Sequence, residues 1–108
     1  MAKEYPLIVG SEEQIPDEQL ARMAAALGVA LATAGLGTVG AKATFAEPNL
    51  WHLRSIIHVT VWDVEAGVEV LARTLRSVEA PMATWIWQGN PPRRAEAIYE
   101  VWTEQDQS

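Results

Sequence analysis

The sequence predicts an α+β domain, an antiparallel sheet with two amphipathic helices packed on one of its faces. Three observations carry this. Short apolar runs with strand period alternate with two longer stretches of helical period. These runs follow the order strand, helix, strand, strand, helix, strand, with one more strand toward the C-terminal end. The 108 residues are 49% hydrophobic and 20% charged, which is globular composition in one domain's length. Residues 1–102 are expected to form that domain, and 103–108 a polar, acidic tail that frays.

Each element has its own warrant. Tyr5 to Val9 (Tyr-Pro-Leu-Ile-Val) reads as the first strand, with Pro6 near a strand start or at an edge. Gly10 to Pro16 reads as a polar loop. Asp17 is the expected N-cap of the first helix, with Glu18 favourable in its first turn. Leu20, Met23, Ala24, Leu27, Leu31 and Ala34 recur at spacings of three and four, so the helix spans 17–34. Gly35 is its natural C-cap. Val39 to Phe45 reads as the second strand, and Glu47-Pro48-Asn49 as a turn.

Leu53 to Trp62 is the clearest strand. Its odd positions, Leu53, Ser55, Ile57, Val59 and Val61, make a mostly apolar face, and its even positions a mixed one. Asp63 caps the second helix. Val64, Val68, Leu71, Leu75 and Val78 form that helix's apolar stripe, with Glu69 and Arg73 as an i,i+4 pair on its wet side. Pro81 is expected to end it. Ala83 to Gln88 is a strand, Asn90-Pro91-Pro92 breaks it, and Ala95 to Trp102 is the last strand. This order resembles a ferredoxin-like sandwich (β-α-β-β-α-β) with an added C-terminal strand. The likeness is one of element order over the whole chain, and no sequence motif carries it. It implies two helices on one face of the sheet and an open face opposite.

Composition removes several function classes. There is no Cys, hence no disulfide scaffold, thiol nucleophile or thiolate metal site. The net charge is −6, which disfavours duplex nucleic acid and anionic membrane as partners. The acidity lies at the ends: residues 1–18 and 95–108 each balance at −4, and the stretch between them at +2. Met1 to Pro6 has neither a basic n-region nor an apolar h-region, so the expected compartment is cytoplasmic. The charge-free stretch between Arg22 and Lys42 approaches membrane-spanning length. Its content is mainly Ala and Gly, which fits a closely packed helix followed by a strand better.

The chemical motifs are weak. Gly35-Leu36-Gly37-Thr38-Val39-Gly40 spells G-x-G-x-x-G. Dinucleotide binding needs a strand before that motif and a helix after it, and here the order is reversed. His52 and His58 share one strand parity but stand about 20 Å apart, so they share no metal ion. No metal site and no cofactor are expected. No G-x-S-x-G elbow is present. Asp63 has a sufficient role as a cap. His58, beside Ile56, Thr60 and Trp62, is the one weak catalytic candidate. Arg93-Arg94, stiffened by Pro91-Pro92, offers guanidinium forks for an acidic group.

The tryptophans are the most informative feature, making up five of eight aromatic residues. Trp85 and Trp87 are two apart and point to one strand face, with Ile86 on the other. Trp62 shares a face with His58, Trp102 with Ile98, and Tyr99 with Val101. Several indoles are expected to line the open sheet face, a surface of the kind that binds a partner. The expected binding residues are therefore Trp62, Trp85, Trp87, Tyr99, Trp102, Arg93 and Arg94. Two functions compete. One is a small acidic protein-binding module of the inhibitor, immunity or regulatory type, whose partner is another protein or a second copy of the chain. The other is a small cofactor-free enzyme of dimeric α/β-barrel type, isomerase- or monooxygenase-like, with a small apolar ligand in a pocket lined by His58 and tryptophans. Single-stranded nucleic acid on the aromatic face is disfavoured by the acidity.

Overall fold

The computed structural model describes residues 3–47, 53–89 and 99–101. Its elements are β1 (Tyr5–Ser11), α1 (Asp17–Ala34), β2 (Gly37–Thr44), β3 (Ser55–Val61), α2 (Val64–Ser77), β4 (Thr84–Gln88) and β5 (Tyr99–Glu100). One sheet contains all the strands in the order β2-β3-β1-β4-β5, and every neighbouring pair is antiparallel. The protein is thus α+β with an antiparallel sheet and two helices, an arrangement compatible with the ferredoxin-like order.

Strand parity sorts the sheet into two faces. Leu7, Val9, Ile57, Val59, Val61, Ile86 and Val101 pack with Leu20, Met23, Leu27 and Leu31 of α1 and with Val68, Leu71 and Leu75 of α2. This is the main core, and both helices lie over it. Ile8, Leu53, Ile56 and Trp87 form a second, smaller cluster, flanked by Ala43, Phe45 and Trp85. β1 is buried from Leu7 to Ser11 because it lies in the middle of the sheet, paired on both edges. Pro6 is tolerated near its start, where the Pro6 carbonyl accepts from the Gly89 N–H at 2.9 Å.

Several boundaries differ from the sequence expectation for identifiable reasons. β1 runs through Gly10 and Ser11, read above as loop, because Ser11 has ladder partners on both sides, Ser55 and Thr84. Asp17 is the first helical residue rather than the N-cap. Pro16 occupies the cap position, without a side-chain cap bond, and its carbonyl accepts from the Leu20 N–H at 2.8 Å. Asp17 and Glu18 then complement the positive end of the helix. Gly35 does close α1, at φ 67°, with the Leu36 N–H bonded to the Leu31 carbonyl at 2.9 Å. β2 starts at Gly37, two residues early, and carries a register shift between Val39 and Lys42, so Gly40 and Ala41 face His58 as a bulge.

Asp63 caps α2 as expected, accepting from the Ala66 N–H at 2.8 Å. Pro81 is not what ends that helix. A left-handed residue does so earlier: Glu79 has φ 57°, and the Ala80 N–H bonds back to the Leu75 carbonyl at 2.9 Å, a Schellman closure with Glu where Gly is usual. Glu69 and Arg73 make no ion pair among the described residues. The last strand, expected over Ala95–Trp102, is described only at Tyr99–Glu100, and the remainder lies outside the described residues. No helix among the described residues is long and apolar enough to cross a membrane.

Candidate binding face

The helix-free face can be laid out row by row, because directly paired residues point to the same side. One row is Trp85, Gly10, Ile56 and Ala43. The next is Trp87, Ile8 and His58. The third holds Pro6, Thr60 and Thr38. Trp62 follows Thr60 by two residues and continues the β3 parity. The face is apolar at the Trp85 end and becomes polar toward His58, Thr38 and Thr60.

Trp85 and Trp87 do share this face. Their ring centroids are 6.0 Å apart and the planes are tilted by 56°, within the range of a favourable aromatic pair. The two rings are not equally open. Trp87 is only 4% exposed, while Trp85 and Trp62 are half-buried. Gly10 is the reason for the burial of Trp87. A Cβ at Gly10 would lie 2.8 Å from Trp87 Cζ3 and 2.7 Å from Leu53 Cδ1, so the missing side chain leaves a notch that the indole and Leu53 fill. Trp87 Nε1 is buried without a hydrogen-bond partner among the described residues, and a buried donor left unsatisfied costs about 1–3 kcal/mol.

The expectation of exposed indoles is corrected for Trp87, which stands on this face but is buried. Among the described residues, the large apolar side chains that are mostly exposed are Val29 at 67% and Met82 at 50%. Neither stands on this face. What remains accessible there is a half-buried band of Trp85, Ala43, Phe45, His58, Thr60 and Trp62, with exposed Pro6 and Thr38 at its polar end.

Tyr99 is not part of it. It pairs with Ile86 and packs against the helix-side core. Its hydroxyl accepts from Arg76 Nη2 at 3.0 Å, and Arg76 Nε donates to the Val101 carbonyl at 2.9 Å. Arg76 thereby pins β5 to α2. Trp102, Arg93, Arg94 and His52 lie outside the described residues. His58 is half-buried and makes no side-chain hydrogen bond among the described residues. Asp63 is committed to its cap. Among the described residues no group of three or more His, Asp or Glu is placed to hold a metal ion.

Two features here have little sequence signal. The Gly10 notch lies at the end of an apolar run, where glycine reads as a turn. An open cleft of about 440 Å³, lined by Val64, Glu65, Val68, Glu69, Gln88 and Tyr99, joins residues from α2, β4 and β5 that are far apart in the chain. No protein-family model matches the chain, and no curated protein is significantly similar to it.

Proposed function

We propose that this chain is a small, acidic, cytoplasmic protein-binding module of the inhibitor, immunity or regulatory type. In this reading it folds as a ferredoxin-like sandwich with an extra strand, and the helix-free face docks the partner, either another protein or a second copy of the chain. The observation that carries the reading is the asymmetry of the sheet. Two helices cover one face, and the other carries half-buried Trp62, Trp85, His58 and Thr60 with no helix over them among the described residues. Indoles in such positions are the usual anchors of protein interfaces. An acidic surround speeds encounter with a basic partner.

The test is affinity capture with matched variants, each checked for folding by circular dichroism. The wild type and Val29→Asp, altered on the outer side of α1, should retain the same partner. Trp62→Ala and Trp85→Ala should lose it. Capture of the same protein by the wild type and all three variants, or by none of the four, overturns the reading. Light scattering over a concentration range separates the self-associating form. A dimer with an internal cavity whose activity is abolished by His58→Ala would favour the dimeric α/β-barrel enzyme instead.

A further inference from the structure

We propose that the cleft between the first two turns of α2 and the β4–β5 edge binds an arginine side chain presented by a partner protein. It is an open surface cleft of about 440 Å³, with an apolar floor and a few polar groups around it. The floor is Val64 and Val68, which belong to the stripe that packs α2 on the sheet. The rim is Glu65 and Glu69, each one position further round the helix from a floor valine and both exposed. Tyr99 and Gln88 form the opposite wall.

Charge selects the occupant. Glu65 and Glu69 are one turn apart on one flank, a like-charge spacing that is mildly unfavourable. Neither carboxylate has an ion-pair partner among the described residues. The helix N-terminus accounts for an acid at Glu65, in the first turn. Glu69, a turn further on, stands four residues before Arg73 but makes no ion pair with it among the described residues. A cation placed between them relieves the repulsion, and an aliphatic stem beneath it covers the valine floor. The tyrosine wall favours arginine over lysine, because a planar guanidinium stacks on an aromatic ring and bridges two carboxylates with its fork. Tyr99 is held in place for this by Arg76, which donates to its hydroxyl.

The cleft lies on the helix side of the β4–β5 edge, so it is separate from the Trp62 and His58 face. The proposal rests on the protein-binding reading only for the source of the arginine. The experiment is a titration of the isotope-labelled full chain with the peptide acetyl-Ala-Arg-Ala-amide, followed by backbone amide shifts. Shifts should cluster at residues 64–69, 88 and 99. Glu65→Gln with Glu69→Gln should weaken binding about tenfold, the scale of two partly exposed charge contacts. Glu12→Gln with Glu13→Gln removes the same charge elsewhere and should change affinity less than about twofold. A citrulline peptide, neutral but of the same shape, should bind about as weakly as the arginine peptide does to the double glutamine variant. Absence of shifts at the cleft at millimolar peptide overturns the proposal. So does equal weakening by the two pairs of substitutions, which would mean diffuse attraction to an acidic surface. Trp62→Ala should leave peptide binding unchanged, so failure of the face reading and failure of the cleft are told apart.

Discussion

Gly10→Ala is the sharpest perturbation of the tryptophan face. The added methyl would meet Leu53 Cδ1 at 2.7 Å and Trp87 Cζ3 at 2.8 Å, both well inside van der Waals contact. The Leu53 methyl can turn away. The fused ring of Trp87 cannot bend and must tilt as a unit. Overpacking of this kind costs about 1–3 kcal/mol. Replacing a strand glycine by alanine returns roughly 0.5–1 kcal/mol of chain entropy. The net expectation is a loss of about 1–2 kcal/mol, or roughly 4–8 °C in Tm for a domain of this size. Thermal unfolding by circular dichroism measures that loss. Tryptophan emission should shift to the red as Trp87 leaves its buried position. In a Trp87→Leu background the clash partner is gone, so the cost of Gly10→Ala should fall to near zero. A Gly10→Ala protein as stable as the wild type, or an equal cost in both backgrounds, would refute the notch.

Other perturbations follow the same logic. Glu79→Gly should raise stability by about 0.5–1 kcal/mol, because φ of 57° strains a non-glycine residue; thermal unfolding checks it. Arg76→Ala removes the bonds to Tyr99 and the Val101 carbonyl and should cost about 1–3 kcal/mol. Faster hydrogen exchange at Val101, whose N–H donates to the Thr84 carbonyl, is the local readout. Ser55→Ala should cost a similar 1–3 kcal/mol in urea unfolding. The Ser55 hydroxyl accepts from the Ile15 N–H at 2.8 Å and donates to the Glu13 carbonyl at 2.9 Å, so it ties the β1–α1 loop to β3 from a buried position.

Much of the fold was legible because it rests on short-range chemistry. The period of Leu20, Met23, Leu27 and Leu31, closed by Gly35, delimits α1 within a few turns of helix. The alternation from Ser55 to Val61 marks β3, and Asp63 marks the start of α2. Each of these signals is complete within a few residues, which is the scale of helix period, strand period and capping. The shared face of Trp85 and Trp87 follows from the same strand period. The errors sit where a distant partner decides. Gly10 and Ser11 look like loop until Ser55 and Thr84 supply ladder partners. Pro81 looks like the terminator of α2 until Glu79 is seen to close it.

The amino-acid sequence by itself determined the class of fold, the order of its elements and the faces on which most side chains stand. Tertiary structure decided how open those faces are. Trp87 is buried because β1 brings Gly10 beside β4, and Tyr99 turns from the tryptophans because its pairing with Ile86 sets it on the helix side. The acidic cleft exists only once α2 is laid against the β4–β5 edge. Register and packing between segments distant in the chain are set by the balance of the whole core. No local pattern of residues contains that balance.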